Sequence, residues 1–215
     1  LTFNTVNETG TVKDIDNNTY NTVKIGTQWW MAENLKTTTY STSTSIPYVT
    51  DNTTWAGLST PAYCYYNNNE ATYGELYGAL YNWFAVNTGN LCPTGWHVPT
   101  DADFNTLELY LGMPPAQVDV WGWRGTDQGT QMKSTSGWNS NGNGTNTSGF
   151  TALPGGYRYA ADGTYNSVGD LTYWWSSTQD LATTAWYRRL DATQTGSYKA
   201  TTEMTAGKSI RCVKD

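Results

Sequence analysis

The sequence predicts an α+β fold in which two helices come early and loops with short strands fill the rest of the chain. Apolar residues recur at helical spacing in residues 74–88 and again after Pro99. Elsewhere Gly, Asn, Thr and Ser separate short apolar runs. Helices segregated from strands in this way are typical of the α+β class. The length suits one domain, which we place at 11–215, preceded by an N-terminal extension or linker at 1–10.

A β-hairpin over residues 11–25 is the first element that the sequence predicts. Its two arms carry Val and Ile, and the turn-forming residues 16–18 separate them. A strand is expected at 28–31, where Gln-Trp-Trp-Met continues the pattern, and a second short strand at 62–66. Residues 37–45 are mostly Thr and Ser, a composition that indicates a loop.

Two helices are expected in the middle of the chain. The first spans 74–88, because its apolar residues fall at i, i+3, i+4 and i+7 and form one stripe. These residues are Tyr77, Leu80, Tyr81 and Phe84. The second begins after Pro99, where Thr100 can cap the N-terminus and Asp103 sits at the third helical position. Gly112 ends it.

The remainder of the chain is expected to consist of loops and strands. Residues 137–149 are too rich in Gly and Asn for a regular element. Strands are expected near 150–153, 171–176, 185–190 and 208–214. Gly155 and Gly156 are expected to serve a backbone geometry with positive φ.

The charge of the chain argues against two classes of partner. Only 14% of residues are charged and the formal net charge is -6, so the basic footprint that phosphate binding needs is missing. No basic amphipathic stretch and no apolar run of about 20 residues is present, which disfavours membrane insertion. The 11 Trp and 16 Tyr favour half-buried positions and wet interfaces. We therefore expect an extracellular or cell-surface protein with a protein or glycan ligand.

Tests for catalytic motifs mostly fail. His97 is the only histidine, so zinc sites built on a histidine pair are impossible, and a structural role for it is expected. Asp101 and Asp103 look like helix-start residues rather than a glycosidase pair. We expect no catalytic residues, no resident metal and no cofactor. Calcium at residues 67–70 is the open alternative, but plain turn chemistry explains those residues better.

Three cysteines allow one disulfide and leave one thiol over. In a non-cytosolic setting we expect Cys92 to pair with Cys212, which leaves Cys64 free, although spacing alone does not decide the pairing. The sequence starts at Leu1 without a signal peptide, so a mature or trimmed form is expected. Lipid anchoring or phage display would then depend on a missing N-terminal region.

Seven stretches of the chain together resemble one family. They are YNTVKIGTQWWMAENL (20–35), YGELYGALYNW (73–83), CPTGWHVPTDADF (92–104), GFTALPGGY (149–157), YWWSST (173–178), AWYRRL (185–190) and SIRCVKD (209–215). In this order they resemble the Fibrobacter succinogenes major paralogous domain family. The resemblance implies a C-type-lectin-like fold near the formylglycine-generating-enzyme branch, with two helices packed on small antiparallel sheets with long irregular loops. It also implies a secreted or surface protein of Bacteroidetes-like bacteria or their phages.

One departure separates the chain from the enzymatic branch that it resembles. Those enzymes act through two nearby cysteines close to the C-terminus, and here that region holds only Cys212. The resemblance therefore implies the scaffold without the oxidase chemistry. This agrees with the failed tests for catalytic motifs.

The C-terminal third is the expected ligand-binding surface. In a strand at 171–176, Tyr173 and Trp175 share one face and Trp174 takes the other; Trp186 and Arg188 likewise share a face. One strand face and the loops at 179–184 and 191–205 would contact the ligand. The expected contact residues are Tyr173, Trp175, Asp180, Thr183, Thr184, Trp186, Arg188, Asp191, Thr193, Gln194, Ser197, Tyr198, Thr202 and Glu203.

Residues 191–209 allow two interpretations. Their mix of small and polar types between family-like flanks resembles the variable region of a diversity-generating retroelement, which would make the protein an adhesin-like receptor for variable partners. The alternative is ordinary drift of a solvated loop. The leading hypothesis is a non-enzymatic ligand-binding surface domain. Its alternatives are a carbohydrate-binding, lectin-like module and a structural, fimbria-associated domain without a specific ligand.

Overall fold

Two larger β-sheets and one two-stranded sheet form the framework of the described chain. The structure is a computed structural model that describes residues 7–215. Strands β1 to β13 are, in order, Thr9–Lys13, Thr19–Ile25, Gln28–Met31, Tyr63–Cys64, Leu80–Tyr81, Trp96–His97, Gly122–Arg124, Gly155–Arg158, Tyr165–Val168, Leu171–Leu181, Thr184–Asp191, Ser197–Glu203 and Val213–Lys214. Helices α1 to α5 are Asn52–Ala56, Glu75–Tyr77, Trp83–Val86, Asp101–Tyr110 and Gln128–Met132. The predicted α+β class is confirmed, with mostly sheet and few, short helices.

The order of the strands brings the two ends of the described chain together. The first sheet runs β1-β2-β3-β13-β6, so the C-terminal strand β13 lies between β3, from the N-terminal part, and β6. The second sheet runs β7-β12-β11-β10-β8-β9, and its long central pair β10–β11 is antiparallel. Strands β4 and β5 form a separate two-stranded antiparallel sheet.

The hairpin and the strand predicted for the N-terminal part are confirmed. Strands β1 and β2 form the hairpin, with Lys13 opposite Thr19, and Asn17 takes the positive φ of the turn. Strand β3 is the strand predicted at 28–31. Of the predicted extension at 1–10, residues 1–6 lie outside the described residues, whereas Thr9 and Gly10 belong to β1.

The predicted helix after Pro99 is confirmed as α4, including the predicted cap at Thr100. The Thr100 hydroxyl accepts a hydrogen bond from the Asp103 backbone N–H, and the Asp103 carboxylate accepts one from the Thr100 N–H. This reciprocal capping box satisfies two donors that would otherwise lack partners. Phe104 and Leu107 are buried on its inner face.

The prediction of one continuous helix over 74–88 is wrong, because within that range only α2 (Glu75–Tyr77) and α3 (Trp83–Val86) are α-helical. The chain makes a π-helical turn at Glu70–Gly74 and one turn of α2, and then reverses at Gly78. Gly78 has φ +76, and a Cβ there would lie 2.7 Å from the Leu35 carbonyl oxygen. After it, Leu80–Tyr81 pairs with β4, and Tyr81 exchanges backbone hydrogen bonds with Lys208. The apolar periodicity was real, but tertiary strand pairing overrides it.

The C-terminal strands are longer and more numerous than predicted. The strands expected at 171–176 and 185–190 extend to Leu171–Leu181 and Thr184–Asp191. The loop expected over 191–205 is wrong, because Ser197–Glu203 forms β12 beside β11. Around the strand expected at 150–153, only Ala152 makes a bridge. Gly156 has positive φ as predicted, whereas Gly155 does not.

The second sheet is covered on both faces at its centre. Trp174 packs on one side with Phe104 and Phe150, in the cluster beneath α4. Trp175 packs on the other side in the larger core, where its indole N–H donates to the Tyr81 carbonyl at 2.9 Å. Both Trp side chains are therefore buried although strand alternation points them in opposite directions.

Candidate ligand-binding face

The structure divides the expected ligand contacts by their burial. Buried are Tyr173, Trp175, Arg188 and Ser197. Partly exposed are Asp180, Thr184, Trp186, Asp191, Tyr198 and Thr202, and exposed are Thr183, Thr193, Gln194 and Glu203. The expectation that the first group lies on an open surface is wrong, because helix α4 and the main core cover the sheet where these residues lie.

Arg188 belongs to a buried polar network rather than to a surface. Its guanidinium donates to Asp101 at 2.7 Å, to Asn105 at 2.8 Å and to Glu108 at 3.2 Å. Ser197 donates to the same Glu108 carboxylate at 2.6 Å. Helix α4 lies across this face of the sheet and supplies all of these acceptors, so the polar groups are satisfied internally.

The expected contact residues at the strand ends form hydrogen bonds that stabilise the turns there. Asp191 accepts hydrogen bonds from the Thr193 backbone and hydroxyl, both at 2.8 Å. At the other end the Thr184 hydroxyl donates to Asp180 at 3.2 Å, beside exposed Leu181. These contacts hold the hairpin ends in place, and they bring no convergent set of side chains together.

A cluster of aromatic side chains lies at the partly open end of the opposite sheet face. We call it the aromatic face, and it consists of Trp123, Tyr157, Tyr173, Tyr187 and Tyr198. The strand register aligns it, because Trp123 is opposite Tyr198 and β10 is paired with β11. Ring centroids are 5.2 Å apart for Trp123–Tyr198, 4.6 Å for Tyr157–Tyr173 and 5.5 Å for Tyr173–Tyr187. Trp123 is 37% exposed, whereas Tyr173 and Tyr187 form the buried floor.

Arg189 lies within the aromatic face and keeps donor capacity. Its guanidinium carbon lies 4.4 Å from the Tyr198 ring centroid and 4.9 Å from that of Trp123. Its only ion pair among the described residues is a long one, 3.7 Å from Nη2 to Asp191. Its Nε is buried without a hydrogen-bond partner in that part of the chain. Arg188, one residue earlier, points to the opposite face and is fully engaged.

Lys208 lies beneath the aromatic face. It is 2% exposed, and its Nζ lies 4.2 Å from the ring centroids of both Tyr173 and Tyr187. Trp175 and Tyr157 complete the surrounding rings at 5.1 and 5.4 Å. Within residues 7–215 no carboxylate lies within 4.0 Å of this ammonium, and no hydrogen bond to it is formed. A cation held by rings alone is an unusual interior group.

Burial controls protonation at this face. Burial lowers the pKa of Lys208 to about 7, and the nearby Arg189 cation lowers it further, with Glu203 opposing. Burial likewise raises the pKa of Tyr173 to about 12, which the Arg189 charge partly offsets. The pKa values of Tyr157 and Tyr187 are also raised by burial. The hydroxyls of these tyrosines therefore remain protonated hydrogen-bond donors at neutral pH.

Lys208→Met is expected to stabilise the protein, most strongly below pH 7. There the lysine is charged in the folded and unfolded states, and the folded state bears the cost of burying it. Between about pH 7 and 10.5 the unfolded state binds more protons, so wild-type stability rises with pH. Met fills a similar volume without charge, and we expect a gain on the order of 1–4 kcal/mol at pH 6 that shrinks by pH 10. Urea denaturation across this pH range measures it.

The exposed Lys13 of β1 supplies the matched control for this substitution. Lys13→Met removes the same charge from an open surface and should change the free energy of unfolding by less than about 0.5 kcal/mol. A Lys208→Met protein with wild-type stability at every pH would show that the buried ammonium carries no cost.

Other side chains that could take part in catalysis or metal binding have structural roles. His97 lies between two carboxylates, with Nδ1 2.6 Å from Asp215 and Nε2 3.2 Å from Asp103. The Asn69 side chain caps the π-helical turn by accepting from the Thr72 N–H, which is the turn chemistry expected at 67–70. Across residues 7–215 no group of three or more His, Cys, Asp or Glu side chains is arranged to hold a metal ion.

The three cysteines are arranged as one bridge and one buried thiol. Cys92 and Cys212 form a disulfide with a Cα–Cα distance of 6.0 Å, and this is the expected pair. Cys64 is free and fully buried, and burial raises the pKa of its thiol to about 11. A buried thiol in this state is inert at neutral pH. No helix among the described residues has both the length and the apolar character needed to cross a bilayer.

The expected contact set missed five residues of this site: Trp123, Tyr157, Tyr187, Arg189 and Lys208. Arg189 was detectable, because alternation through AWYRRL places it on the face opposite Trp186 and Arg188. Trp123 and Lys208 carry no such local signal. They reach the face through the pairing of β7 with β12 and the bridge between Lys208 and Tyr81.

Comparison with known proteins gave one match. The sequence model of the Fibrobacter succinogenes major domain matches residues 23–214, which is most of the chain. No curated protein and no solved structure matched the chain.

Proposed function

This chain belongs to the Fibrobacter succinogenes major domain family, and we propose that it is a non-enzymatic ligand-binding domain whose aromatic face binds a glycan of a cell surface. The observation that carries the proposal is the aromatic face itself. It combines exposed Trp123 with half-buried Tyr157 and Tyr198 above the buried floor of Tyr173 and Tyr187. Apolar ring faces stack on the C–H side of sugar rings, and hydroxyls bind sugar hydroxyls.

The rigidity of the face supports this proposal. Each aromatic side chain stands on a strand of the second sheet, and the floor tyrosines pack into the main core. A binding surface that is already ordered loses little conformational entropy when a ligand binds. Trp and Tyr have only two side-chain torsions each, which lowers that entropy cost further.

The scaffold and location form the finer part of the proposal. We assign the chain a C-type-lectin-like fold, supported by its small sheets, its long irregular loops and the strand pairing between its N- and C-terminal parts. We place it outside the cytosol, since the Cys92–Cys212 disulfide is stable in oxidising compartments. The absence of catalysis is supported by the engagement of His97 with two carboxylates and by the burial of Cys64.

The burial pattern of 191–209 bears on the choice of ligand. Ser197, Lys199 and Ala200 within this segment are buried, and Lys199 forms ion pairs with Asp101 and Asp119. A segment freely diversified for variable partners would place such positions in solvent. The geometry therefore favours a fixed glycan ligand over variable protein partners, with the floor of the face supplied by strands β10 and β11.

Trp123→Ala is expected to weaken glycan binding by about tenfold or more, because stacking on one aromatic side chain contributes on the order of 1–3 kcal/mol. Binding is measured on a glycan array that carries neutral and acidic glycans, followed by calorimetry with the best ligand. Trp121→Ala is the matched control, since Trp121 is 55% exposed but packs edge-on against Trp186 at the other face of the sheet.

Two results would count against the proposal. One is wild-type protein that binds nothing on the array, which would favour the structural, fimbria-associated alternative. The other is a glycan bound equally by the wild type and the Trp123→Ala protein, which would move the site elsewhere. Circular dichroism of each variant establishes that the fold is retained.

A further inference from the structure

Positive charge is concentrated at the aromatic face although the chain as a whole is acidic. The formal net charge is -6, yet Arg189 lies within the face and Lys208 lies beneath it. The Asp191 carboxylate lies 3.7 Å from Nη2 of Arg189, which is a long ion pair. The Glu203 carboxylate acts on Lys208 only from beyond ion-pair distance. These two cations are therefore incompletely neutralised among the described residues.

The opposite face of the same sheet carries cations that do pair closely with carboxylates. Arg188, Arg124 and Lys199, on the opposite face, each donate to a carboxylate at 2.6–2.8 Å. On that face helix α4 and Asp119 supply the anions at hydrogen-bonding distance. On the aromatic face no element supplies a close partner to Lys208, which is a nine-tenths buried polar group without a hydrogen bond in the described chain. An anion from outside would complete the site.

Resting on the proposed glycan-binding function, we propose that the aromatic face selects acidic saccharides, whose carboxylate or sulfate binds Arg189 while the buried charge of Lys208 strengthens the attraction. The Arg189 side chain is 21% exposed and its terminal nitrogens make only the long contact to Asp191 among the described residues, so a planar guanidinium suited to oxyanions is left with donors for the contact. Lys208 acts from below the rings through its field, in surroundings of low dielectric where charge acts strongly. Sugar rings carrying the anion would stack on Trp123 and Tyr198.

Such a site responds to pH near neutrality. The groups that face the Lys208 ammonium are Tyr157, Tyr173 and Tyr187, which stay neutral there, together with the charges of Arg189 and Glu203. As pH rises through about 7, Lys208 loses its proton and the site loses one of its two cations. Binding of an acidic saccharide should therefore weaken between pH 6 and pH 8.5.

Paired polymers provide the test. The full chain is titrated at pH 6 with polygalacturonate against its fully methyl-esterified form, and with dextran sulfate against dextran. We expect each acidic polymer to bind at least about tenfold more tightly than its neutral counterpart, and the arm with the larger ratio identifies carboxylate or sulfate as the ligand group. Because the chain is acidic overall, general attraction of a polyanion would not produce this preference.

Two variants and one control distinguish the contributions of the two cations to binding. Arg189→Met should lose about tenfold or more in affinity for the acidic polymer, and Lys208→Met should lose affinity at pH 6 and make binding independent of pH. Lys13→Met, on the first sheet, should bind like the wild type. Since Lys208→Met is expected to be more stable than the wild type, its loss of binding would not reflect unfolding.

The failure of this inference differs from the failure of the proposed function. Equal binding of neutral and acidic polymers, lost in Trp123→Ala, would overturn the charge selectivity and leave glycan binding in place. An acidic preference unchanged in Arg189→Met and Lys208→Met would also overturn it. Absence of binding to any polymer or array glycan would overturn both.

Discussion

Glu108→Ala is expected to lower the free energy of unfolding by about 3–5 kcal/mol, because it leaves buried guanidinium groups without their shared anion. The Glu108 carboxylate is 1% exposed and accepts from both terminal nitrogens of Arg124, at 2.8 and 2.7 Å. It also accepts from Arg188 at 3.2 Å and from the Ser197 hydroxyl at 2.6 Å. Urea unfolding monitored by Trp fluorescence, with the disulfide intact, measures the change.

The remaining contacts of the two arginines limit the loss. Arg124 keeps the Val118 carbonyl at 2.7 Å, and Arg188 keeps Asp101 and Asn105. Glu108→Gln retains the shape without the charge and should fall between the wild type and Glu108→Ala.

An exposed glutamate gives the contrast for this prediction. Glu75 pairs with Lys36 at 2.8 Å, but its side chain is 82% exposed, so Glu75→Ala should cost less than about 1 kcal/mol. If Glu108→Ala proved no more destabilising than Glu75→Ala, the buried network would not hold α4 on the sheet.

The same network explains why sequence reasoning misplaced Arg188. Strand alternation correctly grouped Trp186 with Arg188 and set Arg189 opposite, but alternation does not reveal which face another element covers. A signal was present in α4. Asp101, Asn105 and Glu108 fall at i, i+4 and i+7, the spacing of one helix face, and such a polar stripe beside buried Phe104 indicates polar groups that need buried partners.

The two helix predictions show which local signals can be trusted. For α4 the apolar stripe and a capping box agreed, and the helix runs Asp101–Tyr110. For 74–88 the stripe came without a capping box, and Gly78 lay inside it. Strand β5 then forms through pairing with residues far away in sequence, including Lys208. Contacts of that kind leave no trace in a local window of sequence.

The residue types of the aromatic face could be predicted from the sequence, but not all of the residues that form it. An excess of Trp and Tyr over Phe indicated half-buried positions near the C-terminus, and Tyr173 and Tyr198 belong to the face. Trp123 joins it because β7 pairs with the edge of β12. Lys208 joins it because a bridge to Tyr81 directs it inward. Both depend on tertiary pairing rather than on residue type.

Removing the Cys92–Cys212 disulfide is expected to lower the free energy of unfolding by about 4–5 kcal/mol. The bridge joins residues 120 positions apart, and closing so long a loop restricts the unfolded chain strongly. It also anchors β13, which lies between β3 and β6 in the first sheet. For a chain of this size the loss corresponds to a fall in Tm on the order of 10 °C. Thermal unfolding of Cys92→Ala/Cys212→Ala measures it.

Treatment with a reductant distinguishes the effect of the disulfide bond from the effect of replacing the two cysteine side chains. Reductant should lower the Tm of the wild type toward that of Cys92→Ala/Cys212→Ala and leave the double variant unchanged. Cys64→Ala removes the one free thiol and should keep the full response to reductant, because Cys64 lies outside the bridge. Thiol labelling of the denatured, unreduced wild type should find one reactive cysteine. Three reactive cysteines, or a wild-type Tm indifferent to reductant, would show that the bridge does not form and would remove its support for an extracellular location.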